Sequence, residues 1–514
     1  MSAIRPRSLP ELVGTLVNEN FIHIFQQLDD PKDLFHVMQT CTRFRNLAIR
    51  ELYKHIRYTD IISFNSNTPF WCGRDDNMHE IPTSVTLDRM LPLNFKVRPQ
   101  SAYIRVWTRL LSFTSLDTLS FANCALPESE SVCYLLGGMQ NLRTLSFKHC
   151  IFVERPLPFC KGYGRFPGLP ITDLTLLYNR TFHTVPPHDD QMFSPEGITP
   201  HLQFATAATL RSLTISWDNT VSSFFANYTR EYSFSSTIDK VNIHFSDPLP
   251  DGGHPFLDIH EVTKQHLGKF LCDGCGGITE LGLYGPTERY VAGDIDCGDF
   301  SYLERYTGPA TLIGAITGPL QELVLSDLDL DVGKVTPALE VVAARSPNLI
   351  KLDITIAVWD MEVLYAVSQL FSDLRELRIK YHDGYPDEAA IVSMPSMFFH
   401  GFVNMTTLHI YNPQMPVGRY ACDEGERWIH VPSLNLPGIQ TVYELGPCAL
   451  EDVLDLMMGW IKTCPKLTEM KWEKNRILMR TSTNSEDKWY FKVGPQPTTV
   501  IKSVSDPKIW YSRL

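Results

Sequence analysis

A cluster of cysteines and histidines in the middle of the chain has the spacing closest to that of a metal site. The segment CDGC at 272–275 is a single Cys-x-x-Cys pair, with His260 and His266 before it and Cys297 after it. A structural zinc site takes four nitrogen or sulfur ligands, usually as two close pairs. Only one close pair is present here, and its possible partners are irregularly spaced. We therefore predict no metal site, and we expect the 12 cysteines to be free thiols in a reducing compartment.

A second candidate for chemistry is the acidic segment DLDLDVG at 327–333. A calcium-binding loop of the EF-hand type needs glycine at its sixth position and glutamate at its twelfth, but these positions hold Val332 and Ala338. The sequence also contains no G-x-S-x-G, H-E-x-x-H or G-x-x-x-x-G-K-[ST] motif. We therefore expect a non-catalytic protein that uses no cofactor.

Composition narrows the choice of partners. The net charge is −12, and no Lys/Arg-rich run is present of the kind that docks on nucleic acid or anionic lipid. No apolar run reaches the roughly 18 residues that span a bilayer. The first residues, MSAIRPRSLPELVG, lack the apolar stretch of a signal peptide. We expect a protein of the cytoplasm, the nucleus or both, with neither nucleic acid nor membrane as a partner.

The strongest pattern is an internal repeat, in which six residues read apolar-x-x-apolar-x-apolar. Twelve matches occur, and successive matches begin 25 to 42 residues apart. The fourth and sixth residues would point to the same side of a strand, because side chains alternate along it. The matches are LDTLSF (from 116), LRTLSF (142), ITDLTL (171), LRSLTI (210), IDKVNI (238), ITELGL (278), LQELVL (320), LIKLDI (349), LRELRI (374), MTTLHI (405), IQTVYE (439) and LTEMKW (467).

Helix-like stretches lie between these predicted strands, as at 336–348 and 453–465. One strand and one helix cannot bury their own apolar sides, so neighbouring units must stack. The repeats resemble leucine-rich repeats of the long, irregular kind. The resemblance implies an α/β solenoid with parallel strands on its concave face and helices on its convex face. A doubly wound α/β sheet is the alternative, although no glycine-rich phosphate turn follows any strand.

The N-terminal region, 16–56, predicts three short helices with one apolar stripe each. Asp29 or Asp30 can cap the second helix, and Pro31 suits its first turn. So small a unit usually needs a partner for stability. The three stripes are Leu16, Phe21, Ile24, Phe25 and Leu28; Leu34, Val37, Met38 and Cys41; and Phe44, Leu47, Ala48, Leu52 and Ile56.

This segment resembles the F-box, a three-helix motif that docks on a Skp-type adaptor of cullin ubiquitin ligases. The family pattern begins Leu-Pro-x-Glu and continues with an apolar helix ending in Leu, an Asp-Leu pair, a Cys and an aromatic residue. Val17 stands where the family usually has Pro. The matching positions are Leu16, Glu19, Leu28, Asp33, Leu34, Cys41 and Phe44. The adaptor-binding residues implied by the resemblance are Leu16, Val17, Glu19, Leu28, Leu34, Val37 and Cys41.

Together the two resemblances imply an F-box/leucine-rich-repeat protein, abundant in fungi, that serves as the substrate receptor of a Skp–cullin–F-box ubiquitin ligase. The alternative is a repeat scaffold whose F-box-like helices act only as an N-terminal cap. The fifth and seventh residues of each repeat would face outward on the concave side, and aromatic and charged types dominate there in the second half. We predict the target-binding residues His244, Tyr284, Asp353, Arg378, Lys380, His409, Tyr411 and Tyr443.

The predicted organisation has five parts. Long connections follow the predicted strands that end at Leu176, Ile243, Leu283 and Ile410, and three of them occupy 178–200, 284–300 and 411–432. All leave the repeats at the same phase and offer further candidate binding loops. The parts are a flexible N-terminus (1–15), the F-box (16–56), a connecting segment with a first irregular repeat (57–110), the leucine-rich-repeat solenoid (111–474), and a C-terminal hairpin cap with a tail (475–514).

Overall fold

The structure analysed is a computed structural model. The predicted repeat at 439 and most of the three long connections lie outside the residues that it describes. It describes residues 18–28, 30–67, 70–71, 78–90, 100–127, 129–154, 169–183, 200–218, 221–226, 237–245, 261–285, 300–326, 330–384, 386, 388–398, 401–413, 460, 463–473, 476–483 and 486–493.

Two compact units make up the described residues. Unit 1 extends to Leu210, and unit 2 begins at Arg211. Unit 1 begins with three helices and continues with alternating strands and helices. Its elements are α1 (Asn18–Gln26), α2 (Pro31–Met38), α3 (Thr42–Leu52), β1 (His55–Tyr58), α4 (Ile61–Ser66), β2 (Ser84–Asp88), α5 (Gln100–Ser112), β3 (Thr118–Ala122), β4 (Ala125–Leu126), α6 (Ser129–Leu136), β5 (Thr144–Lys148), β6 (Ile151–Glu154), β7 (Asp173–Leu177) and β8 (Arg180–His183), with short 3₁₀ turns at Met78–Glu80 and Pro200–Thr206.

The three N-terminal helices enclose one small aromatic core. Phe21, Phe25, Leu34 and Ala48 are buried in it, and the ring of Phe44 lies 4.7 Å from that of Phe21 and 5.5 Å from that of Phe25. The remaining contributors are partly buried. They are Leu28, Val37, Met38, Phe44, Leu47 and Leu52.

Three residues of the predicted apolar stripes lie elsewhere. Cys41 was expected in the stripe of the second helix, but it is exposed and caps the third helix. Ile24 was expected in the core of the first helix, but its side chain is turned to solvent and the residue is 51% exposed. Ile56 was expected at the end of the third helix. That helix ends at Leu52, and Ile56 belongs to β1, where it pairs with Val85. Ile56 therefore serves the sheet rather than the helix.

The main sheet of unit 1 runs in chain order through β1, β2, β3, β5 and β7, and all its neighbours are parallel. A second parallel sheet contains β4, β6 and β8. Each strand of the main sheet from β2 onward is followed by one residue with positive φ. These residues are Arg89, Asn123, His149 and Tyr178.

A ladder of polar side chains follows these turns and ties one repeat to the next. Cys124 Sγ donates to the carbonyl of Leu87 at 3.3 Å, and Cys150 Sγ donates to that of Phe121 at 3.4 Å. Asn179 takes the same place in the next repeat. The segments LDTLSFANCAL (116–126) and LRTLSFKHCIF (142–152) thus follow the eleven-residue leucine-rich-repeat pattern with Asn or Cys at its ninth position.

Unit 2 continues the alternation and closes with a hairpin. Its nine parallel strands again follow chain order, and two antiparallel strands come last. The elements are β9 (Ser212–Trp217), β10 (Lys240–Phe245), α7 (Glu261–Cys275), β11 (Glu280–Tyr284), β12 (Arg305–Gly308), a 3₁₀ turn (Ala310–Ala315), β13 (Glu322–Leu325), α8 (Val332–Arg345), β14 (Lys351–Val358), α9 (Met361–Leu370), β15 (Glu376–Asp383), α10 (Glu388–Phe398), β16 (Thr407–Tyr411), β17 (Glu469–Glu473), β18 (Arg476–Thr483) and β19 (Glu486–Val493).

The predicted repeats match this architecture closely. Eleven of the twelve begin two residues before a strand, and their first and fourth residues are buried, as are the sixth residues whose side chains the structure describes. In each unit the spatial order of the strands follows chain order without the reversal that defines a doubly wound sheet. The fold class is therefore N-terminal F-box-like helices followed by leucine-rich-repeat units. The sequence pattern missed three strands of the main sheets: β1, β2 and β12.

Candidate adaptor-binding and target-binding surfaces

Local sequence fixes the start of two of the three N-terminal helices. Asp30 caps α2 by accepting a hydrogen bond from the backbone N–H of Lys32 at 2.9 Å, and Pro31 takes the first helical position. These are the roles expected for an acidic cap and a proline that needs no donor there. Cys41 caps α3, because its Sγ accepts a hydrogen bond from the N–H of Phe44 at 3.4 Å. The predicted cap of the second helix is thus Asp30.

The predicted adaptor-binding residues lie in three different environments. Glu19 and Cys41 are exposed, Leu28 and Val37 are half-buried, and Leu34 is buried with 6% exposure. Leu34 therefore holds α2 against the core, and its contact with an adaptor remains a prediction. Leu16 and Val17 lie outside the described residues. The residue that sequence reasoning missed is Ile24, which presents an apolar side chain to solvent on α1.

The F-box-like helices continue into the sheet of unit 1 without a linker. Tyr53, which ends α3, packs its ring 5.1 Å from Phe70 and 5.5 Å from Trp71. Trp71 in turn lies 5.6 Å from Phe113 and donates its Nε1–H to the hydroxyl of Tyr58 at 2.8 Å. This aromatic cluster joins the three-helix core to the first strand of the sheet.

In unit 2, the third, fifth and seventh residues of the repeats share one face of the sheet, called here the polar face. Its third positions form a row of alternating charges. Lys240 pairs with Glu280, and Arg305 bridges Glu280 at 3.2 Å and Glu322 at 3.5 Å. Lys351 completes the row at 3.2 Å from Glu322. Sequence reasoning missed this row, although the alternation of Lys and Glu at one repeat position is visible in the sequence.

The fifth positions hold several of the buried polar groups of this face. Asp353, Arg378 and His409 are neighbours on adjacent strands. Asp353 is buried; its Oδ2 accepts a hydrogen bond from Lys380 Nζ at 3.0 Å, and its Oδ1 lies 2.9 Å from the same nitrogen. Among the described residues, the guanidinium of Arg378 forms one ion pair, a long one at 3.6 Å from Glu376. The structure thus brings three predicted residues, Asp353, Arg378 and Lys380, into one cluster.

His409 belongs to the same row and is paired with a carboxylate. Its Nε2 lies 2.8 Å from Oε1 of Glu469. Burial lowers the pKa of His409, and the charges of Arg378 and Lys471 lower it further, while the hydrogen bond and charge of Glu469 oppose the change. The net pKa is lowered, so the imidazole is neutral at pH 7 and serves as a hydrogen-bonding group of the surface.

Three of the seventh positions hold aromatic rings. The rings of His244 and Tyr284 stack with 4.7 Å between centroids, on neighbouring strands β10 and β11. The ammonium group of Lys471 lies over the ring of Tyr411 on β16, 4.0 Å from the ring centre. His244 and Tyr284 therefore form one predicted group, and Tyr411 belongs with the Arg378 cluster. Tyr443 lies outside the described residues.

The two segments considered for metal binding have structural roles. Helix α7 ends at Cys275, which is buried, so burial and the neighbouring Cys272 raise the pKa of its thiol. His266 Nδ1 is engaged with the hydroxyl of Ser222 at 3.0 Å. Asp331, in the acidic segment, caps α8 by accepting from Lys334 N–H at 2.9 Å. Within the described residues, no three His, Cys, Asp or Glu side chains come together as metal ligands.

Across the ranges that the structure describes, no helix combines the length and apolarity needed to cross a membrane.

Comparison with known proteins gives one family match and several solved structures of low similarity. A search of curated proteins finds no match. Among solved structures, an internalin from Listeria monocytogenes is 10% identical, with TM-score 0.29, over 74% of this chain and 87% of its own. Rad7, in the yeast Rad7–Elc1 complex, is 13% identical, with TM-score 0.30, over 75% of this chain and 96% of the matched one. A leucine-rich-repeat protein from Leptospira interrogans is 13% identical, with TM-score 0.25, over 66% and 86%.

The family match falls on the N-terminal helices. Residues 18–59 match the family model described as F-box-like, a range that spans α1 to α3 and the whole of β1. The repeat assignment of the remainder rests on the strand order, the register and the Cys/Asn ladder described above. The chain thus combines an N-terminal F-box-like domain with leucine-rich-repeat units.

Proposed function

We propose that this chain is the target-recognition subunit of a Skp–cullin–F-box ubiquitin ligase. The observation that carries the proposal is the F-box-like domain at 18–59, joined without a linker to a sheet of leucine-rich repeats. In this role the three helices bind a Skp-type adaptor, and through it a cullin ligase. The protein is non-catalytic and acts in the cytoplasm, the nucleus or both. It raises the effective concentration of a bound target near the ubiquitin-loaded enzyme.

The proposed adaptor surface lies on the outer side of the N-terminal helices. Ile24 is 51% exposed, and Leu28 and Val37 are half-buried, so all three have apolar area left to bury against a partner. Burial of apolar surface stabilises a complex by roughly 25 cal/mol per Å². Glu19 and Cys41 would lie at the rim, and Leu34 would support the surface from inside. Leu16 and Val17 complete the proposed set.

The proposed target surface is the polar face of unit 2. Tyrosine and arginine are enriched among residues that dominate protein–protein binding energy, and this face offers Tyr284, Tyr411 and Arg378. The guanidinium of Arg378 is the least engaged of these groups, because its nearest carboxylate oxygen is 3.6 Å away. Asp353, Lys380, His409 and His244 would orient the surface through the pairs and stacks they form.

Co-purification with a Skp-type adaptor tests the proposal. Ile24→Asp should abolish the association, because it places a charge in the apolar contact, and Ile62→Asp should leave it intact. The pair is matched: both residues are exposed isoleucines on helices of unit 1, at 51% and 75%, and only Ile24 is within the three-helix domain. Failure of the unmodified chain to bind any Skp-type adaptor would refute the proposal.

A scaffold protein is the second candidate. The feature that favours it is the direct continuation of α3 into β1, which pairs with β2 in the sheet. Helices in this position shield the end of a repeat array, and repeat arrays need such caps. If this role is the whole function, the chain binds its partner protein and no adaptor, and Ile24→Asp changes neither stability nor binding.

A further inference from the structure

The turns that follow the strands of unit 1 place four side chains in a row along one edge of the sheet. Arg89, Asn123, His149 and Tyr178 each follow a strand directly and have φ between 53° and 56°. The N–H of Arg89 bonds to the carbonyl of Ala122 at 2.9 Å, which extends the strand ladder by one residue. Asn123 and His149 make equivalent bonds to the next strand. The fold therefore repeats one turn geometry in four successive repeats.

Bulky residues in these turns require an explanation. A left-handed backbone suits glycine and asparagine, and for other L-residues it is uncommon and costly. Of the four positions, Asn123 and His149 hold types that are enriched in this conformation, whereas Arg89 and Tyr178 do not. Arg89, His149 and Tyr178 keep large side chains and expose them to solvent, and His149 stacks on Tyr178 with 4.9 Å between rings. Residues kept in strained conformations often mark functional positions.

The charges at this edge are predominantly positive. Arg57, Arg89 and Lys148 lie at or next to the carboxyl ends of strands of unit 1, Arg180 lies three residues after the end of β7, and all four are exposed. We call these four residues the basic edge. Lys148 is the last residue of β5, and Arg180 is the first residue of β8, two residues after Tyr178.

Few carboxylates oppose these cations. On the main sheet of unit 1, the described carboxylate that ends a strand is Asp88, and it is already engaged by Arg57 at 2.6 Å and by Asn123 at 3.1 Å. Asp60 caps α4 through Ser63. Among the described side chains no carboxylate pairs with Lys148 or Arg180, so this edge has a net positive charge. Unit 2 differs, because the cations at the third positions of its polar face pair with glutamates.

We propose that the basic edge of unit 1 is a second binding surface, which takes an acidic, extended polypeptide segment of a partner protein. Five strands spaced about 4.8 Å apart give an edge of about 19 Å, which matches about six residues of an extended chain. Carboxylates on such a segment would meet Arg89, Lys148 and Arg180 in turn. A peptide fits the site better than nucleic acid, because the sequence has no Lys/Arg-rich run of the kind that docks on a phosphate backbone. This surface operates independently of adaptor docking.

Binding of a fluorescein-labelled peptide of eight glutamates, followed by anisotropy, tests the proposal. The triple variant Arg89→Glu/Lys148→Glu/Arg180→Glu should bind at least tenfold more weakly, because three surface attractions become repulsions. Lys269→Glu/Lys334→Glu/Arg375→Glu is the matched control: it changes the net charge equally at exposed cations of unit 2, and its affinity should stay within about twofold. Raising the salt concentration should weaken binding to the unmodified chain.

Three outcomes would overturn the proposal. They are equal affinity in the edge variant and the unmodified chain, an equal loss in the control, and binding of an eight-nucleotide single strand in preference to the peptide. Arg89→Gly gives an independent check that folding defects cannot mimic. Glycine accepts the φ of 56° without strain, so the melting temperature should hold or rise while peptide affinity falls. A lower melting temperature with unchanged affinity would assign Arg89 a structural role.

Discussion

Replacing Lys380 with methionine should destabilise unit 2, whereas the same replacement of Arg378 should not. The ammonium group of Lys380 lies 2.9 Å from Oδ1 of Asp353 and 3.0 Å from its Oδ2, and the Asp353 side chain is 9% exposed. Methionine keeps most of the aliphatic length but leaves this carboxylate without its cation. A hydrogen bond to a buried charged group contributes about 1.5–3 kcal/mol, so we expect the free energy of unfolding to fall by about 2 kcal/mol.

Arg378 provides the contrast, because it lies two residues before Lys380 on the same face of the same strand. Its ion pair with Glu376 spans 3.6 Å, and both side chains are 36% exposed. Pairs of that kind contribute about 0–1 kcal/mol. Arg378→Met should therefore change stability by less than about 0.5 kcal/mol. If the polar face binds the target, the same substitution should reduce target capture.

Urea unfolding followed by tryptophan fluorescence and by hydrogen exchange at β14 and β15 measures the difference. The double variant Asp353→Asn/Lys380→Met should recover much of the loss, because the amide removes the unpaired charge. Equal costs for Lys380→Met and Arg378→Met would refute the reasoning. A triple replacement of Arg378, Lys380 and Tyr411 would confuse lost binding with lost stability, so capture experiments should use Arg378→Met.

Two further predictions concern unit 1. Asn179 accepts a hydrogen bond from the N–H of Cys150 at 2.9 Å and donates one to the carbonyl of Phe147 at 3.0 Å. Asn179→Ala should therefore lower the free energy of unfolding by about 2 kcal/mol and speed hydrogen exchange at Cys150 about thirtyfold. Asn179→Cys introduces the residue of the two preceding repeats and should cost less; an equal cost would contradict the ladder. Burial raises the pKa of Asp88, but hydrogen bonds from Arg57 and Asn123 and the charges of Arg57 and Arg89 more than offset this, so the net pKa lies below 3.8. The stabilisation from Asp88 is therefore present above about pH 4 and lost as the pH falls through the lower folded value; Asp88→Asn should reduce the acid-induced drop in melting temperature, and an unchanged drop would contradict the assignment.

The repeat strands could be predicted because burial on the inner side of a stacked unit requires apolar residues at fixed positions. Leu119 and Phe121 in β3, and Leu145 and Phe147 in β5, occupy the fourth and sixth positions and are fully buried. Such residues pair with their counterparts across the sheet, Leu119 with Leu145 and Phe121 with Phe147. One apolar pattern repeated in phase therefore fixes both the strands and their register.

The strands that escaped prediction break the pattern for physical reasons. In β12 the sixth position is Gly308, because a Cβ there would lie 2.6 Å from the hydroxyl of Tyr306, which fills that space and donates to the carbonyl of Pro309. In β2 the first position is Pro82, which is buried as the leucine of other repeats would be. An apolar count cannot recognise a glycine whose volume is supplied by its neighbour.

The surface residues were predicted less completely, because alternation fixes which face a residue occupies but not what it contacts. Asp353, Arg378 and Lys380 were placed on the correct face, yet only the coordinates distinguish the paired lysine from the loosely held arginine. Likewise Ile24 has the helical spacing of a core residue and is exposed. In a three-helix unit with so small a core, some apolar positions must remain outside.

The distribution of charge also separates the tasks of the two surfaces. On the polar face of unit 2, lysines, arginines and glutamates of adjacent strands neutralise one another, so this surface has little net charge with which to attract an ionic partner. Recognition there would depend on the shape and contacts of Tyr284, Tyr411 and the guanidinium of Arg378. At the edge of unit 1, Lys148 and Arg180 lack such partners among the described residues, so attraction at a distance is available there. Each repeat contributes its own charges to a surface of the parallel sheet, and equivalent positions on neighbouring strands lie about 4.8 Å apart. A single substitution at one repeat position can therefore change a surface from self-paired to attractive without altering the fold.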